Sequence, residues 1–358
     1  MKILIIQQKM IGDVLTTSIL FEALKQRYPN AELHYVINSH TYPVVEGNPY
    51  IDRFHFFTPQ HEKSKRKLWA FATELRKKNY DIVIDVYSKI SSNIISIRSK
   101  AKTKISIEKG HNSFIYNHRF KHKLKAETTA GLAIENRLQL LKPLGIDTDA
   151  IIRPKIYLTD TEKTGARQFL KSHHINLDKP LFMIGVLGSG RSKTYPFNYM
   201  AKVIDKIVIE HPESQILFNY IPKQEADATA ILELCAPETK KHIFFKVFGD
   251  SLRDFLAIAS HCDALIGNEG GAINMAKALF IPTFTIFSPW IKKDAWNMFD
   301  DGQKHVSVHL GDYRSDAYSN VKHPKALKTK SADLYKALTP DYFETELKTF
   351  LNQFNSFF

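Results

Sequence analysis

An acid and two glycines, Glu269-Gly270-Gly271, lie between a short apolar run and a helix-like segment at residues 272–279. Two glycines at such a joint let the chain turn sharply, and they let a ligand approach bare N–H groups at a helix N-terminus, where the helix dipole favours an anion. A phosphate could bind to Gly270, Gly271 and Ala272 in this way. The alternative is a tight turn that requires glycine only for a positive φ.

Glycines, a hydroxyl and two cations share a second loop, within residues 185–196. The loop contains, in order, Gly188, Ser189, Gly190, Arg191 and Lys193. Their spacing is neither that of a P-loop nor that of the G-x-G-x-x-G dinucleotide motif. Such a set still suits a diphosphate. A solvated basic turn would have the same composition, so this loop alone leaves both interpretations open.

A third loop, at residues 7–14, carries Gly12 and Asp13 at the start of a predicted helix. Aspartate is a preferred N-cap residue, so capping is the simplest local interpretation of Asp13. All three loops follow predicted strands, and open α/β sheets bind ligands at the carboxyl ends of their strands. Two phosphate-suited loops that face one carboxylate across a domain boundary indicate transfer of a group from a nucleoside diphosphate.

Alternating strand-like and helix-like segments supply the sheets that would position these loops. Apolar patterning predicts strands at residues 2–7, 32–37, 80–86, 180–187, 215–220, 242–246, 264–267 and 283–287, and helices at residues 14–27, 69–78, 161–173, 198–210, 223–235, 251–260 and 272–279. This alternation indicates right-handed βαβ units on parallel sheets, and it restarts after a polar linker at residues 160–178. The predicted class is α/β, with Rossmann-like domains at residues 1–160 and 178–340.

A C-terminal helix is predicted at residues 341–358, with an apolar stripe at helical spacing. The stripe consists of Phe343, Leu347, Phe350, Leu351, Phe354 and Phe358. Docking onto the body of the protein is the favoured interpretation, and contact with a membrane is the alternative.

The net charge of +13, from 50 Lys and Arg against 37 Asp and Glu, favours an anionic partner: nucleic acid, an acidic membrane surface or a phosphorylated substrate. The sequence has no recognisable nucleic-acid-binding module, so nucleic acid is not the expected partner. Its two cysteines, Cys235 and Cys262, lack the spacing of a metal site or a disulfide framework. No apolar run is long enough for a transmembrane helix. These features predict a cytoplasmic protein that is peripheral to an acidic membrane surface.

Four stretches, IGDV, LLKPLGID, GSGRSKTYP and GNEGGAINMAKALFIPTFTIF, together resemble the lipopolysaccharide heptosyltransferases of glycosyltransferase family 9 over nearly the whole chain. The resemblance implies a GT-B fold, in which two Rossmann-like domains face each other across a cleft. The second domain would hold a nucleotide-sugar donor, and the first would meet a lipid A/core oligosaccharide acceptor. The expected reaction is inverting transfer of heptose, or a related sugar, with ADP-heptose as the expected donor.

The resemblance also implies roles for individual residues. Asp13 would act as general base, and Lys193 would stabilise the leaving diphosphate. Glu225 would bind the donor ribose. The full set of expected donor-binding residues is Gly188, Ser189, Gly190, Arg191, Glu225, Glu269, Gly270, Gly271 and Ala272.

Three positions depart from the family pattern: Tyr195 replaces a tryptophan, Glu269 an aspartate and Asn274 a histidine. Glutamate keeps the charge but adds a methylene, and asparagine removes a group that titrates near neutral pH. Backbone contacts to phosphate depend on glycine and helix geometry, so they are expected to survive. The identity of the donor sugar is the feature most exposed to these changes.

Basic residues are concentrated on the expected acceptor side. They are Lys89, Arg98, Lys100, Lys102, Lys104, Lys109, Arg119, Lys121, Lys123 and Lys125. Of these, Lys89, Arg98 and Lys100 are the predicted acceptor-binding residues, since such charges attract the phosphates of a lipid-linked oligosaccharide. No D-x-D pair lies on the three loops, so neither a metal nor another cofactor is expected. The alternatives are a transferase for another sugar nucleotide and a non-catalytic relative that binds anionic glycolipids.

Overall fold

The computed structural model describes residues 1–110, 114–318 and 324–355. The chain forms two compact units, unit 1 at residues 1–157 and unit 2 at residues 158–358. Phe358, the last residue of the predicted apolar stripe, lies outside the described residues.

Unit 1 contains a six-stranded parallel sheet. Its strands are β1 (Lys2–Ile6), β2 (Glu32–Asn38), β3 (Arg53–Phe57), β4 (Ile82–Asp85), β5 (Thr103–Ile107) and β6 (His118–Phe120). They lie in the order β3-β2-β1-β4-β5-β6, which is the order of dinucleotide-binding sheets. In the centre, Leu4 of β1 pairs with His34 of β2 and Val83 of β4. Residues 3–6 are fully buried, as expected for a strand covered on both faces.

Three strands of unit 1 were not predicted. Both edge strands, β3 and β6, are only partly buried and contain Arg and His residues, so they lack a continuous apolar run. Strand β5 has only two apolar residues, Ile105 and Ile107. Its other positions are Thr103, Lys104 and Ser106, so the apolar pattern of a strand is weak.

The helices of unit 1 are α1 (Ile11–Thr17), α2 (Ile19–Arg27), α3 (Pro59–Lys63), α4 (Lys65–Arg76), α5 (Ile90–Ser99) and α6 (Leu132–Leu138), with 3₁₀ turns at Ser39–Val44 and Gln139–Leu144. The prediction of one helix at residues 14–27 was wrong, because the chain forms α1 and α2 with a break at Ser18. Its hydroxyl donates to the carbonyl of Leu15 at 2.7 Å, and that of Thr16 donates to Gly12 at 2.6 Å. Such bonds from Ser and Thr to the preceding turn bend helices.

Unit 2 contains a five-stranded parallel sheet. Its strands are β7 (Leu181–Gly185), β8 (Gln215–Phe218), β9 (Ala264–Asn268), β10 (Thr283–Ile286) and β11 (His305–Val308), in the order β11-β10-β9-β7-β8. The strand order reverses between β7 and β9, and open α/β sheets bind ligands at such a switch point.

The predicted strand at residues 242–246 was wrong. Only one bridge forms there, between Ile216 and Ile243. The backbone then turns, since the amide of Val247 donates to the carbonyl of Phe244 at 3.1 Å. The apolar side chains of this segment therefore pack against the protein, but its backbone does not pair with the sheet as a strand.

The helices of unit 2 are α7 (Asp160–Ser172), α8 (Phe197–Glu210), α9 (Glu225–Leu234), α10 (Pro237–Lys240), α11 (Leu252–Ala259), α12 (Gly271–Ala278), α13 (Lys293–Trp296), α14 (Leu310–Tyr313), α15 (Ser331–Ala337) and α16 (Glu344–Asn352). Shorter 3₁₀ turns lie at Arg191–Lys193, Pro222–Gln224, Ser315–Tyr318, Pro324–Lys330 and Pro340–Phe343.

Two helices at the borders of unit 2 pack into its core. Helix α7, predicted in the linker, packs against α11 through Ala166 and Leu170, so this segment belongs to unit 2. Helix α16 buries Leu347, Phe350 and Leu351 in the same unit, next to strand residues of its sheet. The apolar stripe is thus covered by protein along its described length.

Candidate functional site

The loops after β7 and β9 lie side by side at the switch point of unit 2. Asn268, the last residue of β9, joins them: its Oδ1 accepts from the amide of Tyr195 at 2.7 Å. Its Nδ2 donates to the carbonyls of Gly185 and Val186, at 2.9 and 3.0 Å. The two phosphate-suited stretches of the sequence are therefore held together by one buried amide side chain.

The loop at residues 186–194, here called the glycine loop, has a fixed base and an exposed tip. A Cβ atom at Gly188 would lie 2.1 Å from the carbonyl oxygen of Lys193, so only glycine fits. The carbonyl of Ser192 accepts from Ser288 Oγ at 2.7 Å and from Trp290 Nε1 at 2.8 Å. Residues 189–191 are exposed, which leaves the hydroxyl of Ser189 and the Arg191 guanidinium accessible to a ligand.

Lys193 and Glu269 form an ion pair between the two loops. Lys193 Nζ lies 2.9 Å from Glu269 Oε1, and the Glu269 side chain is only 8% exposed. The same oxygen lacks a partner with hydrogen-bond geometry among the described residues. An anion that binds Lys193 would compete with Glu269 for that ammonium group.

The glycine pair at the start of α12 has two different structural roles. Gly270 has a φ of 150°, in a region that side chains rarely adopt, so the turn itself requires glycine there. Gly271 has no such φ, and a Cβ atom on it would meet nothing nearer than Met275 Cε at 3.9 Å. Gly271 is also exposed. The turn interpretation therefore explains Gly270 only, and leaves room for a ligand at Gly271.

A cavity of 430 Å³ opens beside this helix start. Its walls are the residues that follow β8, the segment before α11, and Ala272 and Met275 of α12. They include Phe218, Asn219, Tyr220, Ile221, Pro222, Phe248, Gly249, Asp250, Ser251 and Leu252. A mostly apolar cavity of this size next to free helix amides suits a nucleoside whose phosphates reach the amides. Sequence reasoning missed this cavity, although the Ser251 N-cap of α11 marks one wall.

Glu225 lies outside the cavity wall. It begins α9, is 46% exposed and pairs with Lys246. The structure therefore does not bring Glu225 to the other predicted donor residues as a lining group.

Asp13 in unit 1 is paired, and it is not an N-cap. It is the third residue of α1, whose N-cap position is Met10 without a side-chain bond. Asp13 Oδ1 accepts from Arg137 Nη2 at 2.7 Å. The guanidinium is buried and further held by Thr17 Oγ1 and the carbonyl of Ala133, at 2.9 and 2.7 Å. One carboxylate oxygen is thus fixed by Arg137, and the side chain stays 23% exposed.

Sequence reasoning missed Arg137. Its contact with Asp13 spans 124 residues, and nothing local to α6 marks it. Its burial, which is rare for an arginine and requires a partner, is visible only in the structure.

The predicted acceptor lysines and arginine are not brought together. Lys89 precedes α5 at the carboxyl edge of the sheet, whereas Arg98 and Lys100 end α5 at the amino edge, roughly 15 Å away along the helix. Arg98 packs over the Trp69 ring at 4.4 Å and donates to Thr73. Of these three, only Lys89 lies at the edge where such sheets bind ligands.

Lys109 joins Lys89 at the carboxyl edge. Its Nζ donates to the carbonyls of Ser88 and Tyr87, at 2.7 and 3.2 Å. Burial, and next the charge of Lys89, lower the pKa of Lys109. The loop between β4 and Lys89 is fixed by the buried Asp85, which accepts from the amide of Ser88 at 2.8 Å. Two cations and an ordered loop therefore lie at the switch point of unit 1.

Tyr195, which replaces the family's tryptophan, is a core residue. It is fully buried and lies against Tyr335, with ring centroids 5.7 Å apart. Burial raises the pKa of its hydroxyl, so it stays neutral. Tyr195 anchors the end of the glycine loop and does not reach the ligand side.

A separate polar cluster lies at the amino edge of the unit 1 sheet. His34 Nδ1 lies 2.8 Å from Tyr80 Oη and 3.0 Å from His55 Nε2, and His34 Nε2 lies 2.6 Å from Glu32. Burial, and then the neighbouring positive charges, lower the pKa of His55 to about 4. This cluster contains none of the predicted site residues.

Within the described ranges, no group of three or more His, Cys, Asp or Glu side chains has the geometry of a metal site. No helix in that part of the chain is long and apolar enough to cross a membrane. Both cysteines are free and buried.

Two Rossmann-like units, each with a parallel sheet, are the architecture of GT-B glycosyltransferases. The family model for glycosyltransferase family 9 (heptosyltransferase) matches residues 68–325. Lipopolysaccharide heptosyltransferase 1 of Campylobacter coli is 23% identical over 340 residues, which are 92% of this chain and 97% of that protein. The chain therefore belongs to glycosyltransferase family 9, and it is a glycosyltransferase.

Solved structures show the same fold. A family 9 glycosyl transferase from Veillonella parvula superposes with a TM-score of 0.77 at 16% identity, over 98% of this chain and 97% of that one. An Escherichia coli heptosyltransferase solved with ADP-2-deoxy-2-fluoro heptose gives a TM-score of 0.63 at 17% identity, over 94% of this chain and 99% of that one.

Proposed function

We propose that the protein transfers heptose, with inversion, from ADP-heptose to the core of a lipopolysaccharide acceptor at the cytoplasmic side of the inner membrane. The observation that carries the donor assignment is the nucleoside-sized cavity whose wall includes Ala272, the second residue of the exposed helix start. A relative named lipopolysaccharide heptosyltransferase and a fold neighbour solved with an ADP-heptose analogue support the choice of sugar, base and acceptor.

On the donor side, the nucleoside occupies the cavity and the diphosphate lies on the amides of Gly271 and Ala272. Helix N-termini stabilise anions through these amides and the helix dipole. As the glycosidic bond to the diphosphate breaks, negative charge grows on the leaving oxygen. Lys193 stabilises that charge, and Arg191 at the exposed tip of the glycine loop adds a second interaction.

On the acceptor side, Asp13 removes the proton of the attacking hydroxyl. A carboxylate suits this role when one oxygen is held and another can face the substrate. Arg137 supplies the hold, because it binds Oδ1 and is itself fixed by Thr17 and Ala133. Lys89 and Lys109 attract the acceptor phosphates from the carboxyl edge of the same unit.

A related sugar nucleotide is the second candidate donor. The specific observation is Glu269, which stands where the family has an aspartate and whose Oε1 lies 2.9 Å from Lys193 Nζ. A change in the carboxylate that pairs with a donor-binding lysine can shift that lysine, and so change which sugar nucleotide is accepted.

The test is transfer itself. Purified protein is incubated with a lipid A/core acceptor that lacks the heptose, and with ADP-heptose, ADP-glucose, GDP-heptose or UDP-glucose in parallel. Product mass and the anomeric configuration are then measured. We expect heptosylated product of inverted configuration from ADP-heptose alone. Transfer from a different donor would support the second candidate, and binding of the acceptor without transfer from any donor would contradict a catalytic role.

A further inference from the structure

A second lysine shares an aromatic ring with Lys193. The Trp290 ring has Lys193 Nζ at 5.8 Å from its centroid and Lys328 Nζ at 5.4 Å. The two ammonium groups are therefore at most about 11 Å apart. Trp290 also donates to the carbonyl of Ser192, so the ring that carries both cations is bonded to the glycine loop.

Described residues before and after the turn Pro324–Lys330 contact the surroundings of the glycine loop. The hydroxyl of Tyr318 donates to the carbonyl of Pro289 at 2.8 Å, next to Trp290. Leu327 is buried, and α15, which follows the turn, contacts the turn Arg191–Lys193. Lys328 itself is exposed, so its position beside the site is fixed by its neighbours while its ammonium stays accessible.

Lys193 alone does not balance the charge of a diphosphate bound at the glycine loop, so a second cation has a role there. The charge of Lys193 is offset by the buried Glu269 at 2.9 Å. A sugar nucleotide brings a doubly charged diphosphate, and the departing nucleoside diphosphate gains further charge. Lys328 forms no ion pair with any carboxylate of the described residues. Its flexible four-carbon stem can turn from the ring face toward an anion bound at the loop.

We propose that Lys328 is a second diphosphate-binding cation of this site, presented beside Lys193 by the Trp290 ring, an inference that rests on the proposed transferase function. On donor binding, Lys328 moves onto the diphosphate and stabilises the charge that develops as the sugar leaves. The acceptor oxygen forms a bond to the anomeric carbon as the bond from that carbon to the phosphate oxygen breaks. The leaving phosphate oxygen keeps the electron pair, and the acceptor hydroxyl proton goes to Asp13.

The experiment compares Lys328→Ala with Lys330→Ala, a matched control in the same 3₁₀ turn that is also exposed and lies over no aromatic ring of the described residues. Calorimetry uses ADP, inorganic pyrophosphate and adenosine as ligands, and a thermal melt confirms that each variant is folded. For Lys328→Ala we expect ADP and pyrophosphate to bind about 10- to 100-fold more weakly, because a charged hydrogen bond is lost. Adenosine affinity should stay unchanged, Lys328→Arg should restore most of the loss, and Lys330→Ala should stay within about two-fold, the usual effect of an exposed charge.

Equal affinities of the two alanine variants for pyrophosphate would overturn the proposal, even if the wild type transfers heptose normally. A wild type that binds pyrophosphate through Lys328 but transfers no sugar would leave the cation site standing and contradict the proposed function. Wild-type protein that binds neither ADP nor pyrophosphate would contradict both.

Discussion

Replacing Gly271 with alanine separates a phosphate site from a simple turn. A Cβ atom on Gly271 meets only Met275 Cε, at 3.9 Å, so Gly271→Ala fits without displacement. Alanine is also the better helix former, and we expect the free energy of unfolding to stay within about 1 kcal/mol of wild type. Any loss of nucleotide affinity then reports on the ligand alone.

The expected loss follows from one contact. A phosphate oxygen that accepts from the Gly271 amide lies about 2.7–3.2 Å from the nitrogen, and a methyl group on the adjacent Cα crowds that approach. Loss of a hydrogen bond to a charged group costs about 1.5–3 kcal/mol, which corresponds to about 10- to 150-fold weaker ADP binding. Calorimetry with ADP, paired with a thermal melt, measures both quantities.

Gly270→Ala is the control for this experiment. Its φ of 150° is strained for any side chain, so we expect a loss of stability of about 1–3 kcal/mol. Wild-type ADP affinity of a fully folded Gly271→Ala protein would refute the reasoning, because the Gly271 amide would then not bind the phosphate.

Three further predictions test the chemistry and electrostatics of unit 1. Arg137→Lys should lower kcat about 10-fold or more at unchanged ADP affinity, because a point charge cannot reproduce the planar contacts that hold Asp13. Steady-state kinetics would show kcat falling while donor KM stays the same. A change confined to donor KM would contradict this role of Arg137. Lys89→Ser should raise the acceptor KM and weaken its salt dependence, whereas Lys100→Ser at the opposite edge should change neither; equal effects would mean that the edge is irrelevant. The folded-state pKa of His55 is about 4 against 6.5 as the ordinary value, so its contribution to stability is complete above pH 6.5 and is lost as pH falls to about 4. Denaturant melts across that window should show a loss of at most about 3 kcal/mol, and His55→Gln should flatten the profile.

The parts of the fold that sequence could predict are those where burial dictates composition. Strands β1, β7 and β9 are covered on both faces, so each has a continuous apolar stretch that the sequence shows, and the loops that follow them carry the residues predicted to bind ligand. Edge strands β3 and β6 were not predicted, because one side of each faces solvent and their sequences are therefore not continuously apolar. At residues 242–246 the apolar pattern was the same as that of a strand, and only the turn at Phe244 distinguishes it.

Part of the candidate site could also be predicted, from glycine-rich loops and not from patterns of burial. Lys193 and Glu269 were identified from glycine-rich loops, and they meet because both loops leave neighbouring strands. The partner of Asp13 could not be found this way, since Arg137 reaches it from another helix over 124 residues of chain. The sequence also does not show which lysines lie at the ligand-binding edge of the sheet, because Lys89 and Lys100 differ only in which end of α5 they occupy.

Single-turnover heptosyl transfer by Asp13→Asn tests the central claim most directly. Asparagine keeps the volume and an oxygen that can accept from Arg137, so α1 should remain folded and ADP affinity should stay close to wild type. It cannot accept a proton, and a positioned general base contributes about 10²- to 10⁴-fold, so the rate of the chemical step should fall by that factor. A rate within a few-fold of wild type, in a protein whose thermal melt is normal, would contradict the assignment of Asp13 as the base.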